Sequence, residues 1–383
     1  MSHHLDVKLI YETLPALIIA LIADTMAGYV MNRGINVFQA IPGLLMVIPA
    51  LIDMRGNVYG AFIARLSSKL HLGEIKDIHD ERVKIWTHTA IVLANIAAVI
   101  VGIIAGIIAW SSTGNAVYII FIPAIILTTH LFTTSILSPL TAYIGVKTHE
   151  KGWNPDNVGV PLLSSAGDLV SVVFIILVGY LLLYIFHIPA LLFILFFSIL
   201  TYVVLLWRKI FRTKEGRTVF LQSMPILLSV AFLELITGGM WEANKIAIIL
   251  LLLPPILETL GNIGSVFSSR LSSFIYLGFI QPTFIPRGKY FLREILSIGA
   301  LSAIMYSFVS IFVLIITWNI KAVFVVWLSV ILSLLILLML SYYLTIGSLK
   351  IKLDPDNVVV PVITTSADII GTISIIFAYY LIF

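Results

Sequence analysis

Long apolar stretches constrain this chain more than any other feature of its sequence. They lie near residues 14–31, 38–66, 83–109, 116–144, 157–186, 188–207, 222–240, 244–274, 290–318, 321–345 and 357–383. About 20 apolar residues are enough for an α-helix to cross the hydrocarbon core of a bilayer. Of the 383 residues, 60% are hydrophobic and 11% are charged, whereas roughly 25% are charged in soluble domains. The sequence therefore predicts an all-α polytopic membrane protein with about eleven spans.

The sequence also contains an internal repeat. The segment PALIDMRGNVYGAFIARLSSKLHLG, from Pro49, aligns without gaps with PPILETLGNIGSVFSSRLSSFIYLG, from Pro254, and ten of the 25 positions are identical. In the same order, NPDNVGVPLLSSAGD at 154–168 matches DPDNVVVPVITTSAD at 354–368. We therefore predict two five-helix repeats, at 1–187 and 222–383. The segment 188–221 joins them and contains one extra transmembrane helix and a basic cytosolic loop.

The extra helix and the basic residues predict the orientation of the spans. A single helix between two five-span repeats gives both repeats the same direction, so we expect a pseudo-twofold axis along the membrane normal. If the N-terminus is cytosolic, 19 of the 23 lysines and arginines fall in or beside inner segments, as the positive-inside rule requires. The sequence thus predicts a cytosolic N-terminus and an outer C-terminus. The expected location is the plasma membrane of a prokaryote.

Six acidic residues inside the predicted spans form three pairs related by the repeat. The pairs are Asp24 with Glu234, Asp53 with Glu258, and Asp168 with Asp368. An unpaired carboxylate at mid-bilayer costs at least ~2.5–3.5 kcal/mol, so a cation or a proton is expected at such a group. The last pair lies about eleven residues into its helices, or ~17 Å along each axis, near the midplane. The alternative is a protonated acid that forms a helix-packing hydrogen bond.

One Gly-Asn step lies in the second predicted span of each repeat. Gly56-Asn57 and Gly261-Asn262 each place a residue without a side chain beside an amide, which lets an ion or its hydration shell approach backbone carbonyls. The alternative is that the small residues serve helix crossing. Asp53 lies close by in sequence, and its alternative role is a salt bridge with Arg55 or a packing contact as a protonated acid.

The available ligand types limit the chemistry of the chain. There is no cysteine, which excludes a thiolate metal site and a thiol nucleophile. Carboxylate and amide oxygens favour a hard divalent cation over copper or zinc. Mg²⁺ is the favoured ion, with Mn²⁺, Co²⁺ and Ca²⁺ as further candidates and Na⁺ as a candidate coupling ion. The basic residues follow the topology, so no nucleic-acid partner is expected, only inorganic cations and the lipid bilayer.

These segments resemble a known family. The run GNVYGAFIARLSSKLHLG and the element PDNV-x-x-P-x₆-D resemble the MgtE-type magnesium transporters, and the fused duplication is similar to solute carrier family 41. The resemblance implies that Asp168 and Asp368 bind a partly hydrated Mg²⁺ at the centre of a pore between the two repeats. It also implies that the same pore is lined by Gly56, Asn57, Gly261 and Asn262. Asp53 and Glu258 depart from the family pattern, and we expect them to add a second cation site or to shift selectivity.

Three functional readings follow. The first is divalent cation transport, most simply of Mg²⁺, through a pathway for which a monomer suffices because both halves lie in one chain. The second is a Na⁺- or H⁺-coupled exchanger of divalent cations, since six carboxylates could serve two ions. The third, an intramembrane enzyme, has paired aspartates but no His-Glu-x-x-His motif, Ser-His arrangement or phosphate-binding glycine pattern.

Overall fold

The structure is a computed structural model of the chain. It describes residues 7–75, 77–151, 155–283, 286–350 and 355–383. Side chains are described for these residues except 7–16, 155–162, 276, 355–358, 360 and 361. Residues 154 and 354, which directly precede the two PDNV elements, lie outside the described residues.

The described chain is helical, and each predicted span except 38–66 corresponds to one long helix. The helices are α1 (Val7–Arg33), α2 (Ile35–Ala40), α3 (Ile48–His71), α4 (Glu81–Thr113), α5 (Tyr118–Glu150), α6 (Pro155–Leu183), α7 (Pro189–Phe211), α8 (Lys214–Ala243), α9 (Ala247–Tyr276), α10 (Lys289–Thr317), α11 (Ile320–Lys350) and α12 (Pro355–Ile382), with a 3₁₀ turn at Leu45–Val47. The prediction of an all-α polytopic membrane protein is confirmed.

Within the described residues, nine helices are long and apolar enough to cross a membrane, namely α4 to α12. Helix α3 is less apolar because it carries charged residues along its length, among them Asp53, Arg55 and Arg65. Arg55 is nevertheless only 2% exposed. Helix α3 is therefore a packed inner helix with polar positions rather than a lipid-facing one.

The second predicted span, 38–66, is interrupted near its start. Helix α2 ends at Ala40, and Gly43 adopts a left-handed backbone with φ of +81°, a conformation that glycine reaches without steric cost. The carboxylate of Glu242 accepts hydrogen bonds from the backbone N–H groups of Gly43, at 2.7 Å, and Leu45, at 3.2 Å. The carboxylate thus satisfies donors at the start of the 3₁₀ turn that the helix itself leaves unpaired.

The chain folds into two compact units whose boundaries differ from those of the sequence repeats. One unit contains residues up to Asn32 together with Ile246–Phe383, so it combines α1 with α9 to α12. In this unit, Gly28 of α1 lies so close to α9 that a Cβ would overlap the carbonyl oxygen of Leu251. The side chain of Asn32 also donates a 2.7 Å hydrogen bond to the carbonyl of Ala247.

The other unit contains Arg33–Lys245, that is, α2 to α8. Here Gly238 of α8 contacts the carbonyl of Met46 in the 3₁₀ turn, again so closely that a Cβ would overlap it. Gly28 and Gly238 occupy equivalent positions in the two repeats, as do Leu251 and Met46. The first helix of each sequence repeat therefore packs with the second span of the other repeat. The repeat boundaries at 1–187 and 222–383 stay a prediction.

Candidate cation-binding half-sites

Asp168 and Asp368 lie in the middle of long helices. Helix α6 has 29 residues and α12 has 28, and each aspartate is thirteen positions after the first helical residue, or ~20 Å along the axis at 1.5 Å per residue. Asp168 is 1% exposed, and Asp368 is partly buried. Both carboxylates are thus held by regular helix, far from either helix end.

The Gly-Asn step of each unit faces the helix that carries the aspartate. A Cβ built on Gly56 would lie 3.9 Å from the hydroxyl of Ser164 on α6. In the other unit, a Cβ built on Gly261 would lie 3.6 Å from Thr364 on α12. Ser164 and Thr364 are equivalent residues, each four positions before the aspartate of its helix. The two units therefore build the same arrangement separately.

We call these arrangements the Asp168 half-site and the Asp368 half-site. The Asp168 half-site consists of Asp53, Gly56, Asn57 and Asp168, and the Asp368 half-site consists of Glu258, Gly261, Asn262 and Asp368. All members except Asp168 and Gly261 are partly exposed. The part of the chain that the structure describes contains no cluster of three or more histidine, aspartate or glutamate side chains placed to hold a metal ion.

Asp53 and Asn57 form a local polar pair on α3. The amide nitrogen of Asn57 donates to the backbone oxygen of Asp53 at 3.0 Å and lies 3.4 Å from its carboxylate Oδ1. Residues four apart on a helix share a face, so both side chains point to the same side of α3. With its nitrogen engaged, the amide of Asn57 has its oxygen left as an acceptor for a cation or for the water around one.

Arg55 lies on α3 between Asp53 and Gly56, and its side chain is directed to another helix. Its Nη1 donates a 2.5 Å hydrogen bond to the carbonyl of Gly167 on α6, and its charge interacts with the carboxylate of Asp168. The guanidinium is thus directed to α6. The alternative of an ion pair between Asp53 and Arg55 is disfavoured, because residues two apart on a helix do not face each other.

The third acidic pair lies on the first helices of the repeats. Asp24 and Glu234 are 1% and 0% exposed, one turn before Gly28 and Gly238 respectively. Each acid thus shares a face with the glycine that makes the close helix contact. Asp24 belongs to the unit of the Asp368 half-site and Glu234 to the unit of the Asp168 half-site. Neither was assigned a role from the sequence.

The arginines towards the C-terminal ends of α3 and α9 differ in their contacts. Arg270 forms a two-point ion pair with Glu294 of α10, with distances of 2.7 Å from Nε and 2.8 Å from Nη2. Glu294 is 1% exposed. Arg65, the equivalent residue, has no ion pair among the described residues. A structural role therefore fits Arg270. The sequence did not identify Glu294 as its partner, because Glu294 lies near the start of the predicted span 290–318, where charged residues are common.

These features define an integral membrane protein that carries paired, repeat-related carboxylates in the middle of its helices. Comparison with protein families gives the particular class. The chain belongs to the MgtE family, described as a divalent cation transporter, whose profile matches residues 48–178 and 253–378. The resemblance predicted from the sequence is confirmed, and the family is one of transporters rather than enzymes. The first matched segment contains Gly56-Asn57 and Asp168, and the second contains Gly261-Asn262 and Asp368.

The individual relatives match only part of the chain, at below 30% identity. A region of 154 residues is 29% identical to solute carrier family 41 member 3 of Rattus norvegicus, covering 38% of this chain and 33% of the relative. A region of 149 residues is 28% identical to solute carrier family 41 member 2 of Homo sapiens, covering 36% of this chain and 24% of the relative. The matches thus span a third or less of the length of these relatives. No solved structure matches the chain.

Proposed function

We propose that the chain transports a divalent cation, with Mg²⁺ as the favoured ion, and that Asp168 and Asp368 bind it through its water shell. The observation that carries the proposal is that both family-matched segments place a Gly-Asn step against the helix with a central aspartate. Oxygen ligands suit a hard cation, and Mg²⁺ gives up its waters reluctantly. The repeat predicts that both half-sites serve the same ion.

Membrane potential is sufficient to drive uptake by this route. Moving two charges through 100 mV yields ~4.6 kcal/mol, so a channel needs no coupling ion. A Na⁺- or H⁺-coupled exchanger is the alternative, because buried acids such as Asp24 and Glu234 supply further carboxylates. Flux that stops when the Na⁺ or pH gradient is removed would establish the exchanger. Flux that follows only the potential and the cation gradient would establish the channel.

The test is Mg²⁺ flux into liposomes that contain the purified chain. Asp168→Asn and Asp368→Asn should each lower the flux about 10- to 100-fold, the range for groups that act on a metal through an outer shell. The double variant should abolish it. Asp77→Asn, at an exposed position between α3 and α4, is the matched control and should transport normally. Normal flux in the double variant, with normal insertion, would refute the proposal.

Cobalt hexammine provides a second test of the water-mediated contact. This complex has about the size of hydrated Mg²⁺ and carries one more positive charge, but it keeps its ligands. It should therefore compete with Mg²⁺ for the Asp168 and Asp368 half-sites. Failure to compete, together with transport that depends on both aspartates, would show that the ion binds after it has lost its waters.

Asp53 and Glu258 are proposed to concentrate cations at the approach to the two Gly-Asn steps. The contact between Asn57 and Asp53 supports this, since it holds the acid beside the amide. Neutralising Asp53 and Glu258 should raise the half-saturating Mg²⁺ concentration more than it lowers maximal flux. The effect should fade between 0.1 M and 1 M salt, because the screening length falls from ~10 Å to ~3 Å. Loss of folded protein with unchanged affinity would instead indicate a packing role.

A further inference from the structure

Arg55 is a buried cation on the wall of the Asp168 half-site. It is 2% exposed, and its Nη1 donates to the carbonyl of Gly167, the residue before Asp168, at 2.5 Å. Its charge interacts with the Asp168 carboxylate. Asp168 is itself 1% exposed. The structure thus places one buried positive charge against the residue that precedes the carboxylate to which we assign the transported ion.

The burial of both groups explains why they occur together. Taking an ion out of water costs several kcal/mol, and an opposite charge at close range offsets this cost. The hydrogen bond to Gly167 uses one of the five N–H donors of the guanidinium, while its Nε has no hydrogen-bond partner among the described residues. The guanidinium is therefore held mainly by its charge and by one donor, which leaves it able to shift.

The second repeat has no such charge at the equivalent position. In the gap-free alignment, Leu260 of α9 corresponds to Arg55, and Ala367 of α12 corresponds to Gly167. Leu260 is fully buried in an apolar cluster that includes Ala367 and Ile363. An apolar contact between α9 and α12 thus replaces the polar contact between α3 and α6. The Asp168 and Asp368 half-sites differ by one positive charge at matched positions.

We infer that Arg55 is a tethered counter-ion of Asp168 that competes with the transported cation and so sets the affinity and valence preference of the Asp168 half-site. This inference rests on the proposed function. The guanidinium neutralises Asp168 when no ion is bound, and it repels an ion that arrives there. Coulomb repulsion doubles with the charge of the incoming ion. Arg55 therefore weakens binding of a divalent ion more than binding of a monovalent ion.

The test compares Arg55→Leu, which copies the residue of the second repeat, with Arg55→Lys, which keeps the charge. Arg65→Leu, on the same helix but away from Asp168, is the matched control. Arg55→Leu should lower the half-saturating Mg²⁺ concentration at least about tenfold, since the repulsion between a buried unit charge and a nearby divalent ion exceeds the ~1.4 kcal/mol of one decade. Na⁺ should inhibit Mg²⁺ flux through Arg55→Leu less than it inhibits Mg²⁺ flux through the parent chain. Arg55→Lys and Arg65→Leu should stay near the parent values.

A stability measurement covers the case in which Arg55→Leu folds poorly. The melting temperature is measured with and without Mg²⁺ for Arg55→Leu and for the double variant Arg55→Leu with Asp168→Asn. A tethered counter-ion predicts that Mg²⁺ stabilises Arg55→Leu more than it stabilises the parent chain, and that the double variant loses this gain. If Arg55→Leu fails to fold at every Mg²⁺ concentration while the double variant folds, Mg²⁺ cannot replace the guanidinium, and the inference is overturned.

The outcomes also separate the inference from the proposed function. If Asp168→Asn leaves the flux unchanged, the proposed function fails. If Asp168→Asn abolishes flux but Arg55→Leu shifts the half-saturating concentration no more than Arg65→Leu does, the proposed function stands and the inference about Arg55 is wrong.

Discussion

The contact of Gly238 with the 3₁₀ turn offers a stringent test of the packing, because the next residue is a built-in control. A Cβ on Gly238 would overlap the carbonyl oxygen of Met46 and lie 2.5 Å from its carbonyl carbon. Carbon atoms pack at about 3.5–4.0 Å, so α8 would have to move by about 1 Å or more. A Cβ on Gly239 would meet only the flexible end of Met46, its Cε, at 3.6 Å.

Both replacements by alanine gain the same helix propensity, about 1 kcal/mol, so their difference isolates the steric cost. Forcing an extra carbon into a packed contact costs about 1–3 kcal/mol. We therefore expect Gly238→Ala to be less stable than Gly239→Ala by that amount, as measured by unfolding of the purified chain in detergent. A difference below about 0.5 kcal/mol, the usual range for uninvolved surface positions, would refute the close contact between α8 and the 3₁₀ turn.

Two further predictions concern charged pairs. Arg270→Met should destabilise the chain by about 3–5 kcal/mol, because it leaves the buried carboxylate of Glu294 without its partner; Arg65→Met, the equivalent change without an ion pair, should cost much less in the same unfolding assay. Hydrogen bonds from Lys69 hold the pKa of Glu74 below its ordinary value. The pair therefore stabilises the fold above about pH 4.3, which is the ordinary pKa of glutamate. This stabilisation is lost as the pH falls and Glu74 becomes protonated. The small difference in melting temperature between the parent chain and Lys69→Met should therefore disappear on acidification, and a constant difference from pH 7 to pH 3 would contradict it.

Hydropathy predicted the helices because each apolar run must form its backbone hydrogen bonds within itself when it is in a bilayer. The interruption near Gly43 was not predicted. The sequence contains Ile41-Pro42-Gly43 at this point, which could have indicated a helix break. Proline and glycine also occur inside transmembrane helices, however, so these residues alone did not predict one. The carboxylate of Glu242 that stabilises this break comes from α8, almost 200 residues later in the chain. Local sequence therefore could not show that the break is capped.

The composition of the two units could not be derived from the repeat. Apolar faces specify that a helix lies in the bilayer or against another helix, but lipid and protein are equally apolar and do not select the partner. Gly28 and Gly238 signalled close helix contacts at equivalent positions, and only the structure shows that each contact is made with the second span of the other repeat. The same limit applies to Arg55, whose direction depends on the packing of α3 against α6.

Fusion of two repeats in one chain permits a difference that a symmetric dimer could not have. Two copies of a single repeat carry the same residue at every position, so an arginine beside one aspartate would also stand beside the other. Two guanidinium groups would then oppose a divalent ion at both carboxylates, and the Coulomb cost would double. Here Arg55 is matched by Leu260, so one repeat carries the buried positive charge and the other carries an apolar side chain in its place. A single substitution can therefore tune the affinity for a cation while the Gly-Asn steps and both aspartates stay unchanged.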